Sequence, residues 1–194
     1  MDLVIDTSSP QTALAALEGE DVFAERVGER LGVEELPDAV DRLVGDVRRV
    51  DRVLITTGPG SFTGLRAGAS YGIGLAQGLG KSLLGVGTFD LMRALSTVPA
   101  RPVVEAGRGR LYLQTPDGGA KVAAVEAVPD DLPIVGFFSE RVIEAAREVG
   151  LSLVPPSALR SFGRAALSVL DRAPPLPYGR VKLSYVTSVG SVRD

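Results

Sequence analysis

TTGPGSFTGLRAGASYGIGLAQG, residues 56–78, takes the chain from an apolar strand through a glycine-proline turn into a glycine-rich helix. RVLITT at 52–57 supplies the strand. Gly58 and Gly60 turn the backbone without a steric penalty. Ser61 or Thr63 then accepts from a free amide of the first helical turn. A helix N-terminus of this kind can receive a phosphate, which makes Gly58, Gly60 and Ser61 candidate binding residues. GPGSFTG lacks the Gly-Lys-Ser/Thr ending of a Walker A loop, and Thr63 stands where G-x-G-x-x-G needs glycine. A structural turn and an anion site both stay open. In the helix, expected over 64–79, Gly64, Gly68, Gly72 and Ala76 recur every four residues. Each interior glycine costs roughly 1 kcal/mol relative to alanine. The stripe therefore implies a close neighbour, either an element of the same chain or one of a partner.

Working outward, residues 2–6, 12–17 and 22–26 read as three short strands joined by turns at Ser8-Ser9-Pro10 and Glu18-Gly19-Glu20. Such short connections favour antiparallel pairing. Leu36, Ala39, Val40, Leu43, Val44 and Val47 predict an amphipathic helix over 35–49, with Pro37 tolerated in its first turn. A strand at 83–86 and a helix from Thr88, as cap, through Ser96 complete the first half. The order β-β-β-α-β-α-β-α predicts a mixed sheet. Beyond it, 102–105, 110–115, 120–125, 133–138 and 151–154 are candidate strands, and Ser139–149 and 158–170 candidate helices. Pro99 and Pro102 suggest a lobe boundary, giving lobes 1–97 and 98–194. Asp6, closing the first strand ahead of Thr7-Ser8-Ser9, could hold magnesium near a phosphate, or simply cap the following turn.

The 194 residues contain no His and no Cys. Disulfides, thiolate nucleophiles, Cys/His zinc sites and a Ser-His-Asp triad are therefore excluded. No apolar run approaches the roughly 18 residues of a membrane span, and the start MDLVIDTSSP has no basic leader. The expectation is a cytoplasmic protein. Net charge is -3, yet the last 35 residues hold six bases and two acids. That basic tail is either a solvated surface or a patch facing nucleic acid.

IDTS at 5–8, GPGSFTGLRAG at 58–68 and PLPYGR at 175–180 resemble the TsaB family, also called YeaZ, and the resemblance runs nearly end to end. It implies a two-lobed α/β fold of the actin-like/Hsp70-like (ASKHA, RNase H-like) kind with mixed sheets. It also implies a role in making N6-threonylcarbamoyladenosine at position 37 of tRNAs that read codons beginning with A. The role implied is a non-catalytic scaffold that binds and supports the TsaD transferase, with TsaE joining as an ATPase. A homodimer when alone follows from the same resemblance, as does tRNA contact mainly through the complex. It implies no cofactor held by this chain, with ATP and magnesium used by the assembled system. It assigns partner contact to the first-lobe helices, through Leu36, Val40, Leu43, Val47, Leu65, Arg66, Gly68, Gly72, Ile73 and Ala76.

Two departures from the family pattern stand out. The His-Ser pair usual ahead of the first helix is missing from GERLGVEELPDAV at 28–40. The second-lobe entry, usually Asp-Ala-Arg-x-x-Glu-Val-Tyr, reads VEAGRGRLYL at 104–113, with Glu105 as its acid. Two other classes remain open: an ATP/magnesium-dependent kinase or ATPase of the same superfamily using Asp6, and a homodimeric binding protein unrelated to tRNA.

Overall fold

The computed structural model describes residues 1–186. The basic tail expected from the sequence lies within these residues except for 187–194, which fall outside them.

Strands β1 (Asp2–Asp6), β2 (Gln11–Glu18) and β3 (Asp21–Glu29) run antiparallel, and β4 (Arg52–Thr56) and β5 (Ser82–Val86) join in parallel, in the order β3-β2-β1-β4-β5. Parallel pairing needs crossovers, supplied here by helices α1 (Leu36–Val44) and α2 (Phe62–Leu79). The alternation of side chains along each strand divides the core. Leu3, Ile5, Leu14, Val53 and Ile55 pack against α1 and α2. Val4, Ala15, Leu17, Leu54 and Val86 pack on the other face, against α3 (Thr88–Ala94) and the late helix α5 (Phe162–Leu170). Helices therefore cover both faces of the sheet.

The second sheet holds β6 (Arg101–Gly107), β7 (Arg110–Gln114), β8 (Ala120–Ala124) and β9 (Ile134–Val135), in the order β8-β7-β6-β9. Its own core includes Val103, Leu111, Ile134 and Val142, the last on α4 (Glu140–Glu148). The first sheet's last strand ends at Val86 and the second sheet's first begins at Arg101, while α5 crosses back to pack on β2 and β3. Glu25 of β3 accepts from the Gly163 amide at the start of α5, 2.6 Å away, so a carboxylate faces the positive end of that helix.

After α5 the chain becomes a strap along the free edge of β5. The Gly85 amide donates to the Pro174 carbonyl, and the Leu176 amide to that of Leu83 at 2.8 Å. The Tyr178 hydroxyl donates to the Lys81 carbonyl, and the Ser184 amide to that of Thr57 at 2.7 Å. The Gly85 amide and the Leu83 carbonyl on the edge of β5 thereby find partners instead of remaining open to pairing with another chain.

Several boundaries differ from expectation. The helix expected over 35–49 stops at Val44, where Gly45 turns at φ +75°, and a separate 3-10 turn forms over Val47–Arg49. The Asp46 carboxylate starts that turn by accepting from the Arg48 amide at 3.0 Å. Thr88 is the first residue of its helix rather than the cap, which is Gly87. Ser139 holds the cap position but makes no capping bond through its side chain; its hydroxyl donates instead to Glu105 at 3.0 Å. The strand expected at 133–138 shortens to two residues. Gly136 presses against the Val103 carbonyl there, leaving no room for a Cβ. The strand expected at 151–154 is a single parallel bridge between Leu153 and Ile134.

Candidate functional site

The C-terminal end of β1 meets the N-terminal end of α2, and the candidate binding residues converge there. Ser61 caps α2, its hydroxyl accepting from the Gly64 amide at 3.3 Å. Its amide donates to the Ser8 carbonyl at 2.8 Å, and the Thr7 hydroxyl donates to the Gly64 carbonyl at 2.7 Å. Arg30 closes the junction from outside, donating to the Ser61 hydroxyl at 2.7 Å and to the Ser9 carbonyl. A Cβ at Gly60 would lie 2.6 Å from the Ser8 carbonyl oxygen, and one at Gly58 2.5 Å from that of Ser184. The Ser61 amide and hydroxyl and the Gly58 and Gly64 carbonyls are thus engaged by the chain itself. Arg30 was not singled out in the sequence; its position in the motif-poor stretch before α1 gave no signal.

Asp6 lies beneath this junction with no solvent exposure. Its Oδ1 accepts from the Ser8 amide and the Thr56 hydroxyl, both at 2.9 Å. Oδ2 has no hydrogen-bond partner. Burial pushes the carboxyl above the usual carboxylate range, against the opposing pull of the Ser8 and Thr56 hydrogen bonds and the charge of Arg30. Of its two alternative readings, the turn-capping one matches the Ser8 contact. Among the described residues, no group of three or more His, Cys, Asp or Glu side chains is arranged to hold a metal ion.

A raised carboxyl pKa in the folded chain is a cost at neutral pH that is relieved as pH falls toward the unfolded-state value. Asn at this position carries no such cost. The difference in melting temperature between Asp6→Asn and the parent should therefore move in the parent's favour between pH 7 and pH 5. A difference that stays constant over that range would mean Asp6 does not titrate there.

The glycine stripe corrects the expected partner surface. A Cβ on Gly64 would overlap the Thr7 carbonyl oxygen, and one on Gly68 the Thr7 hydroxyl. One on Gly72 would sit 2.5 Å from Ile55 Cγ2. The close neighbour is the chain's own β1 and β4. Leu36, Val40, Leu65, Gly68, Gly72 and Ala76 are buried inside the chain and cannot be surface contacts. The period was read correctly, but a four-residue repeat does not say which element lies against it.

Of the expected contacts, Arg66 is exposed, and Leu43, Val47 and Ile73 are half-buried. Among the described residues Arg66 meets no carboxylate; its guanidinium lies 4.4 Å from the Phe62 ring centroid. Phe62 is 55% exposed and packs beside Tyr185, with ring centroids 5.0 Å apart. On the outward side of α2, Gly74 and Gly78 have open space where a Cβ would point. Tyr71 lies between α1 and α2, its hydroxyl pushed up to about 12 by burial and by Asp41. The outward side of this helix pair carries the exposed charges of Asp38, Asp41, Arg42 and Arg66 beside the half-buried Leu43 and Ile73. In the second sheet, Glu105 accepts from the Ser139 amide at 2.9 Å as well as from its hydroxyl. The acid of the altered second-lobe motif is thereby committed to the start of α4.

Residues 29–157 match the family described as TsaD: tRNA N6-adenosine threonylcarbamoyltransferase. Among solved structures, the fold matches YeaZ from Pseudomonas aeruginosa with a TM-score of 0.64 and 19% identity, covering 95% of this chain and 99% of that one. A second structure, of a protein with similarity to peptidase YeaZ from Pseudomonas aeruginosa, matches at 0.63 and 18% identity over 96% and 99%. An uncharacterized protein of Mycobacterium tuberculosis, Rv3421c, is 28% identical over 188 residues, covering 90% of this chain and 88% of its own length. ML0378 of Mycobacterium leprae is 30% identical over 166 residues, 79% of this chain and 46% of that protein.

Proposed function

Because the chain belongs to the tRNA N6-adenosine threonylcarbamoyltransferase (TsaD) family and has the mixed α/β fold of YeaZ, we propose that it is a non-catalytic member of the machinery that threonylcarbamoylates adenosine 37 of tRNA. It binds and supports a TsaD transferase, with TsaE as a third component, and pairs with itself when alone. It works in the cytoplasm, and none of the described helices is long and apolar enough to cross a membrane.

One observation carries this reading. The strand-to-helix junction that an actin-like enzyme would need for phosphate is occupied by the chain's own Thr7, Ser8 and Arg30, with Asp6 sealed below it. A chain without His or Cys also lacks the usual imidazole and thiolate for acid–base or nucleophilic work. The junction therefore serves as architecture. The outward side of α1 and α2, with Arg66, Leu43 and Ile73, together with Val47 on the turn after α1, is the surface offered to TsaD. Its small residues at Gly74 and Gly78 allow a second helix to approach closely, and the exposed Phe62 beside it supplies an aromatic anchor.

The purified chain should co-elute with TsaD and hydrolyse ATP no faster than a blank. Cells lacking it should lose the modified nucleoside. Magnesium-dependent turnover near 1 per second, about the low end for enzymes, that disappears in Asp6→Ala would make the chain an ATPase instead. Failure to bind TsaD would remove the scaffold reading.

A further inference from the structure

A cavity of about 940 Å³ lies away from the Asp6 junction, between α3, α5 and the strap along β5. Arg93, Arg160, Arg172, Arg180 and Lys182 line it, with Asp90 as its single acid. Asp90 is already taken by Arg93, 2.8 Å away. Arg160 donates to the Ala94 and Ser96 carbonyls at 2.9 and 2.8 Å, and Arg172 to that of Ser168 at 2.7 Å. Among the described residues, none of Arg160, Arg172, Arg180 and Lys182 has a carboxylate within ion-pair distance.

This concentration of positive charge runs against the chain's overall balance of -3. Like charges converging on one concave surface repel one another, and such a surface focuses the field toward an anion. Part of the wall is apolar, formed by Val86, Val169 and Leu176 among others. The cavity's size falls within the range of small-molecule sites, roughly 300–1,000 Å³. Guanidinium groups suit phosphate oxygens in particular, because their paired N–H donors match them. Neither Asp6 nor any residue of 58–64 lines the cleft.

We propose that this cleft binds a small organic polyphosphate of the nucleotide class. Its phosphates sit on Arg160, Arg172, Arg180 and Lys182, and its less polar body lies against Val86, Val169 and Leu176. Four of the six bases in the last 35 residues are thereby gathered at one site. The strap supplies Arg180 and Lys182, so a bound ligand would hold the strap against α5.

The test is calorimetric titration of the full-length chain alone, with ADP, GDP, tripolyphosphate, adenosine and a short single-stranded oligoribonucleotide as probes. The expected result is one-to-one binding of a nucleoside diphosphate, displaced by tripolyphosphate, with adenosine alone silent. Raising salt from about 50 to about 200 mM should weaken it. Arg172→Glu and Arg180→Glu, both at exposed positions, should each weaken binding about tenfold or more with an unchanged melting curve. Arg147→Glu, an exposed cation on α4 outside the cleft, should leave it unchanged. Three results would each overturn the proposal: no diphosphate binding by the parent chain, an equal loss from Arg147→Glu, or binding of the oligoribonucleotide alone. No partner is present, so failure here says nothing against the TsaD scaffold.

Discussion

Gly64→Ala should lower the melting temperature by on the order of 4–8 °C, even though alanine is the better helix former. The new methyl group would overlap the Thr7 carbonyl oxygen. That atom is backbone, with β1 ending just before it at Asp6, so it cannot swing aside as a side-chain tip would. An overlap this close with backbone belongs at the upper end of the usual overpacking cost, about 3 kcal/mol, and leaves about 2 kcal/mol after the gain of about 1 kcal/mol in helix propensity. Gly74→Ala, ten residues along the same helix, should do the reverse. Nothing lies within 4 Å of its Cβ position, so only the propensity gain remains, worth about 2–4 °C in a chain of this size. A matched pair of melting curves decides the point. Stabilisation by both substitutions would mean that α2 does not press its stripe onto the sheet.

The larger functional effect is expected from Gly74→Leu. Nothing lies within 4 Å of the Cβ position and the residue is exposed, so the isolated protein should stay folded and melt at the parent temperature or slightly above. If a TsaD helix lies against α2, the added side chain stands in the approach of two backbones. Overpacking of about 3 kcal/mol corresponds to roughly a hundredfold loss of affinity. Modification of tRNA in cells should fall in parallel. Parent-like affinity in a titration against TsaD would move the docking surface off the outward face of α2.

The first sheet was legible in the sequence because its strands are short, apolar and separated by strong turns. Val53, Leu54 and Ile55 read as a buried strand before any pairing was known, and the three opening strands announced a mixed sheet. What local pattern could not supply was long-range placement. The stripe of Gly64, Gly68 and Gly72 announced a close neighbour, but only the crossover geometry puts Thr7 and Ile55 there. Ser139 looked like an ordinary cap, since nothing nearby in sequence reveals Glu105, 34 residues earlier. The cationic cleft was harder still. Arg93 sits on α3, Arg160 in the loop before α5, and Arg180 and Lys182 on the strap, so their charges converge only once α5 has crossed back. The excess of bases near the end of the sequence was visible as a count. Its concentration at one concave surface was not. The resemblance to the TsaB (YeaZ) family, carried by GPGSFTGLRAG, agrees with the family match and the YeaZ fold.

The return of α5 and the strap to the first sheet governs when that sheet can be completed during synthesis. After β5 has emerged from the ribosome, the face bearing Val4, Leu17 and Leu54 still lacks α5, and the β5 edge lacks residues 174–176. Nearly ninety further residues must be translated before both are covered. At about 5–20 residues per second, that leaves apolar surface and an open strand edge exposed for several seconds. Nascent chains stalled before α5 should therefore recruit chaperones and resist proteases poorly, whereas chains stalled with the strap free of the exit tunnel should behave as folded protein.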